Sequence, residues 1–426
     1  MQSRRVPSPP GAHLPRPLGA SLTVSPSDRP VSRSAVLLLL AAACSSRVSG
    51  PSDGGAPPRT EGQLSRVRPA PPPCLPGDPE PPAESLVARA SLEREAGRPE
   101  RALTCAEEAL ERVPRSKDAL LERALALGEL DRGAEARAAV DRALAAFPDD
   151  LDTLATAAEI CVTYLGDRDA LEAGRDHALR GAAGALRGPR PDRALAARLY
   201  LLAGMAENDL GRNRDALTHV EASLRERPGD VDAVYERGVA LFELCRFGAA
   251  RRSFEAVLHR VPDDAWALHY LGLIAERGGE EGRARTLLAR AARLAPKELH
   301  PAVEMDRAAF EAEVREAVAS LPDADRRALS GVPVEVAEMP ALADLTAVEP
   351  PLSPSILGLF RGTPLGEPCP RAQGPACRSI VLYRLNLLRF AQDRSELAEQ
   401  VRVTLLHEVG HLRGESEEKL RARGLE

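Results

Sequence analysis

Near its C-terminus the chain reads His407-Glu408-Val409-Gly410-His411. Histidines four residues apart project from one face of a helix, because four residues complete little more than one turn. Their ring nitrogens can share one metal ion, and zinc suits imidazole donors. Glu408, next to the first histidine, then stands beside that ion as the base that takes a proton from water. A catalytic zinc needs at least one more protein ligand. Gly414 can take the positive φ that ends a helix and turns the chain back, which brings Glu417, three residues on, within reach as the third ligand. The plain alternative is a terminal helix whose histidines pack or cap and hold nothing.

Other elements must place that helix, which the pattern puts at about Ser395 to His411. "MDRAAFEAEVREAVASLP" reads as an amphipathic helix with Ala309, Phe310, Val314, Ala317 and Val318 on one stripe. "VPVEVAEMP" alternates as a strand does, and "SIVLYR" is a second strand, read as an edge against which an extended peptide could pair. Residues 300–426 thus form a small α+β domain.

Ahead of it the chain is periodic. Pro114 and Pro148 stand 34 residues apart, as do Pro228, Pro262 and Pro296. In that phase one small residue falls on Ala90, Ala124, Ala158, Gly204, Gly238 and Gly272, and a second on Ala102, Ala136, Ala170, Ala216, Ala250 and Ala284. Small side chains recur where two antiparallel helices approach closely. The third unit departs, with Ala182 where proline is expected and an insertion near 185–196. The array, residues 83–298, resembles tetratricopeptide proteins, whose solenoids offer a surface to a peptide or partner protein. The expected fold class is mainly α, a tetratricopeptide helical solenoid followed by a small α+β domain. His177, His219, His259 and His269 sit on the repeats at no metal-ligand spacing.

Aromatic residues make up only 3% of the chain, which argues against an all-β fold. With 57 basic and 63 acidic residues the net charge is -6, so no phosphate-tracking surface is implied and no nucleic-acid partner is expected. The seven cysteines form no CxxC pair, and most read as small core hydrophobes.

The N-terminus carries a different signal. "VLLLLAAA", residues 36–43, is too short to span a bilayer and is followed at once by Cys44. It resembles a bacterial lipoprotein signal, which implies cleavage and lipidation at Cys44, a lipid anchor in a membrane, and an exported protein of the bacterial cell envelope. The other readings are an ordinary secretory signal or an adventitious apolar run. Residues 1–44 form that signal region, with Val31 as a candidate translation start, and residues 45–82 read as a disordered Pro/Gly/Ser-rich linker. In an oxidising compartment Cys369 and Cys377, eight apart, can close a disulfide at the rim of the site; two free thiols are the alternative.

The segment from 305 to 425 is similar to the minimal zincins, a small bacterial family of zinc-dependent metallopeptidases. The resemblance rests on "FEAEVREAVASLP", "LGLFRGTPL", "IVLYR" and "VRVTLLHEVGHLRGESEEKL". It implies a short α+β zincin fold, Zn2+ held by His407, His411 and Glu417, Glu408 as base, and a peptide or protein substrate. Members of that family usually place Asp at the third-ligand position, and the metzincins His or Asp, so Glu417 is a departure. No methionine follows Glu417, so the Met-turn of metzincins is absent. The function these features imply is a membrane-tethered zinc metallopeptidase whose repeats bind protein or substrate. The competing one is a scaffold lipoprotein whose zincin domain is inactive or structural.

Overall fold

The computed structural model describes Cys74 and residues 80–187, 189–369 and 377–425. Cys44, the signal region and most of the linker lie outside the described residues. What is described falls into two compact units, one ending at Arg187 and one beginning after it. Among the described residues no helix is long and apolar enough to cross a membrane.

The first unit consists of helical pairs: α1 (Ala83–Glu95) with α2 (Pro99–Arg112), α3 (Lys117–Glu129) with α4 (Gly133–Ala146), and α5 (Leu151–Glu159) with α6 (Arg168–Ala185). In α2 the buried Ala102, Cys105, Ala106 and Ala109 follow the three-and-four spacing of one helical face. Ser116, Asp150 and Asp167 cap α3, α5 and α6 by accepting from main-chain amides three residues on. The small residues of the periodic pattern, Ala90, Ala102, Ala124, Ala136, Ala158 and Ala170, are all fully buried. Past α5 the chain continues as a π-helical turn, Ile160–Leu165, closed by Gly166 at φ +66. Nothing in the repeat pattern announces that turn.

Cys74 corrects the reading of the cysteines as core hydrophobes. It is bonded to Cys105 of α2 with a Cα–Cα distance of 4.9 Å, and its amide donates to Glu108 Oε1 at 2.8 Å. A residue assigned to the disordered linker is thus fastened to the first helical pair. Cys161 is buried and free, as that reading expected, and Cys245 is a half-buried free thiol.

The second unit begins with three further pairs: α7 (Arg193–Asp209) with α8 (Asn213–Glu226), α9 (Val231–Glu243) with α10 (Phe247–Arg260), and α11 (Ala265–Arg277) with α12 (Glu281–Leu294). A Cβ added at Gly204, Gly238 or Gly272 would lie 2.4 Å from Val220, 2.7 Å from Phe254 or 2.6 Å from Leu288. At these three positions glycine leaves room for the facing side chain.

After α12 come α13 (Arg307–Ser320), α14 (Asp323–Ala328), β1 (Val334–Ala337), α15 (Leu342–Leu345), β2 (Gly358–Arg361), β3 (Ser379–Tyr383), α16 (Arg384–Phe390), α17 (Arg394–Leu412) and α18 (Glu417–Ala422). The sheet order is β1-β3-β2, with β1 parallel and β2 antiparallel to β3. The strand read as an edge, "SIVLYR", is therefore the central one, buried along its whole length. The edge facing α17 is β2. Ile380 and Leu382 pack with Phe310 and Val314 of α13 and with Leu397, Val401 and Leu405 of α17. On the opposite face Val381 and Tyr383 meet Leu345, Leu352 and Ile356.

The last helical pairs also hold this α+β region. Arg277 donates to the Pro340 carbonyl at 2.6 Å, Glu276 pairs with Arg389, and the Cys245 thiol lies 3.8 Å from the Leu352 carbonyl.

Candidate metal centre

Asp393 starts α17 by accepting from the amides of Ser395 and Glu396, and Glu396 returns a bond from the Gln392 amide. The apolar side of α17 enters the core, which leaves His407 and His411 on a half-buried face. At the other end Gly414, with φ +79, closes the helix in a Schellman turn: the Glu415 amide donates to the Gly410 carbonyl at 2.9 Å. Gly410 is needed for the return, because a Cβ there would lie 2.2 Å from Leu420 of α18. Arg413 braces the turn, donating to the buried Asp325 at 2.6 Å, and Arg423 reaches Glu415 at 2.6 Å.

The structure brings His407, His411 and Glu417 together. The two Nε2 atoms are 2.9 Å apart, and Glu417 Oε1 lies 3.1 Å from that of His411 and 3.9 Å from that of His407. Each of the three offers one donor atom to a common point, all within 4.8 Å of one another. Glu417 Oε1 is buried and accepts no hydrogen bond. A buried carboxylate oxygen facing two imidazole nitrogens lacks a positive partner, and a zinc ion supplies one. The donor set therefore fits the metal that the motif implies.

Glu408 is buried beside the histidines, and Oε2 accepts from the Phe360 amide of β2 at 2.7 Å. Burial raises its carboxyl above the ordinary glutamate value, against the pull of the His407 and His411 imidazoles and of the Phe360 amide. The His411 imidazole is held above its ordinary value: burial opposes its charge, but the negative Glu417 and Glu408 carboxylates beside it outweigh burial. Gly358 lets β2 pass over the base, since a Cβ there would meet Thr404 at 2.7 Å and Glu408 at 3.2 Å.

The Cys369 and Cys377 sulfurs are bonded to each other. Arg378 follows and donates to the carbonyls of Thr363, Pro364 and Glu367, while the Leu365 amide donates to the Leu412 carbonyl at the end of α17. The bond thus lies in the network that borders the end of the metal helix. Reading the sequence missed Gly358, Phe360, Asp325 and Leu425. The first lies inside "LGLFRGTPL" and could have been flagged as a glycine within a strand; Phe360 and Leu425 act through main-chain atoms and leave no side-chain signature.

Residues 329–425 match the zincin-like metallopeptidase family. Residues 87–150, 201–248 and 243–298 match the tetratricopeptide repeat family. No curated protein matches the chain. Among solved structures, the crystal structure of PilW, described as a widely conserved type IV pilus biogenesis factor, is similar at 19% identity and TM-score 0.45, covering 51% of this chain and 96% of that one. Pseudomonas aeruginosa pilF is similar at 18% identity and TM-score 0.43, covering 54% and 97%. A tetratricopeptide protein titled as having an unusual peptide-binding site, YrrB, is similar at 17% identity and TM-score 0.34, covering 45% and 93%. The chain carries tetratricopeptide repeats followed, at residues 329–425, by a C-terminal zincin-like metallopeptidase domain.

Proposed function

We propose that this protein is a zinc-dependent peptidase of the bacterial cell envelope, tethered through a lipid on Cys44, whose repeats bind protein or substrate. The observation that carries the catalytic reading is the buried Glu417 oxygen facing two imidazole nitrogens, with the Glu408 carboxylate one residue from the first of them. A zinc ion held by His407, His411 and Glu417 supplies Lewis acidity toward water and a peptide carbonyl.

Glu408 does the proton work. Its raised carboxyl pKa strengthens it as a base, and the Phe360 amide fixes one of its oxygens. It takes the proton of the attacking water and returns it to the leaving amine as the C–N bond breaks. The substrate belongs along β2. The Tyr383 amide donates to the Leu357 carbonyl, so the antiparallel alternation turns Leu357, Leu359 and Arg361 toward β3 and the main chain of Gly358 and Phe360 outward. The Phe360 amide is taken by Glu408, so an extended peptide can add to that outer edge through the Gly358 main chain and the Phe360 carbonyl. Export accords with the pairs Cys74–Cys105 and Cys369–Cys377, which need an oxidising compartment to persist.

Metal analysis of the purified chain with a peptide-cleavage assay tests the catalytic part: about one zinc per chain and hydrolysis are expected. Membrane fractionation of cells carrying Cys44→Ala tests the tether, since soluble wild-type protein would refute it.

A further inference from the structure

Each of the two histidines has a second ring nitrogen, and α18 lies between the two turns that reach them. Both turns are built alike. Gly414 at φ +79 and Gly424 at φ +70 take left-handed backbone, and each is followed by a six-to-one bond, Glu415 amide to Gly410 carbonyl and Leu425 amide to Leu420 carbonyl. The main chain of Glu415 then hydrogen-bonds the His411 ring. The Leu425 carbonyl oxygen lies 2.5 Å from His407 Nδ1. A carbonyl only accepts, so this contact requires the proton on Nδ1 and leaves Nε2 with its lone pair toward His411 and Glu417. The Leu425 side chain is buried in the same core as Val409 and Leu412, which holds the carbonyl in place.

We propose that the Leu425 carbonyl is the positioning group that locks His407 in its metal-binding tautomer, so that the turn after α18 sets metal affinity. The inference rests on the metal centre proposed above. Metal-ligating histidines that lose such a partner bind their ion about tenfold to a hundredfold more weakly. The turn after α18, 18 residues beyond His407, thereby belongs to the proposed metal centre.

Variants of the full chain test this, read by zinc competition against a chromophoric chelator and by the 15N shifts of the His407 ring in metal-free protein. Glu426→Ala keeps the Leu425 amide carbonyl and should leave zinc affinity within about twofold. Deleting Leu425 and Glu426 together removes the acceptor; affinity should fall about tenfold or more, and the ring should lose its fixed Nδ1–H form. Leu425→Ala keeps the carbonyl but trims the packing that holds it, so it should lower the unfolding midpoint, keep the Nδ1–H ring and cost clearly less affinity than the deletion. Should the double deletion not fold, Gly424→Ala carries the test: no atom lies within 4 Å of the added methyl, so it strains only the turn. The ring shifts are read without metal, so an intact chain that binds no zinc yet shows the Nδ1–H ring sinks the proposed peptidase and keeps the orienting contact. The inference falls if the folded deletion, or Gly424→Ala in its place, retains both full affinity and the Nδ1–H ring. It also falls if Leu425→Ala loses as much affinity as the deletion.

Discussion

The helical pairs from α7 to α12 and the candidate metal centre use glycine for one mechanical purpose with different consequences. In the pairs, Gly204, Gly238 and Gly272 admit Val220, Phe254 and Leu288 from the facing helix. In the metal centre, Gly410 admits Leu420 and Gly358 admits Thr404 and Glu408. A clash in a repeat displaces a helix whose neighbours perform the same packing elsewhere, and stability in such arrays is close to a sum over units. A clash at Gly410 or Gly358 displaces the one element that, among the described residues, carries Glu417 or fixes Glu408. Repetition distributes load, whereas the site concentrates it on single contacts.

The largest effect should come from breaking the site without touching the packing. Glu408→Gln should keep zinc and lower hydrolysis about a hundredfold to ten-thousandfold, the ordinary contribution of a general base. His411→Ala should instead empty the site, measured as zinc per chain after dialysis. Equal zinc in the histidine variant and the wild type would end the metal assignment.

Next in size is the Cys74–Cys105 bond, which closes a loop of 31 residues in the first unit. Its loss in Cys74→Ser should cost about 4 kcal/mol of stability in urea unfolding, by the chain-entropy account of cross-links. Zinc content and hydrolysis should not change, because the centre draws all its ligands from residues 407–417. A variant that lost zinc in proportion to stability would show that the two regions do not share load in the way described.

How far each region could be read without coordinates follows from the same contrast. The repeats were legible because Ala102, Ala136, Ala170, Ala216 and Ala250 answer to one steric demand at one phase, and all are fully buried. The His407, His411 and Glu417 grouping was legible because helical periodicity and one glycine turn suffice to converge three side chains. Strand order was not, since the place of "SIVLYR" depends on β2, a four-residue strand whose pattern does not alternate. The partner of Cys105 lay 31 residues away, where spacing alone cannot fix connectivity. The Leu425 carbonyl could not be seen at all, because every residue carries the same main-chain group and only its position in space sets it apart.

The glycines themselves give a paired test of intermediate size. Gly238→Ala drives a methyl to 2.7 Å from the Phe254 ring and should cost about 1–3 kcal/mol, the usual range for overpacking, with zinc affinity unchanged. Gly410→Ala drives one to 2.2 Å from Leu420 and should cost a similar amount while also weakening zinc, as α18 moves away with Glu417. If both variants change zinc affinity equally, the distinction between distributed and single-use packing fails.

The effect that is smallest at any one step of the measurement lies where the repeats meet the α+β region. Glu243, at the end of α9, is buried and hydrogen-bonded to Ser353, and burial pushes its carboxyl up from 4.5 to about 7 despite that bond. A carboxyl whose folded pKa exceeds its unfolded value contributes its full stability below about pH 4.5 and loses it as pH rises to about 7. His269 on α11 acts in the opposite sense: desolvation, with the Arg389 guanidinium adding, pushes its imidazole down to about 3, so its contribution is lost as pH falls below the ordinary histidine value of 6.5. The two slopes offset each other between pH 4.5 and 6.5, so the wild-type profile alone is uninformative. The difference between Glu243→Gln and wild type isolates one of them. It should shift in favour of the variant by about 1 kcal/mol per pH unit from pH 4.5 and level off above 7. Urea unfolding at half-unit steps reads it, and a difference that stays flat across that window would mean that the carboxylate is already compensated where the repeats hold the C-terminal domain.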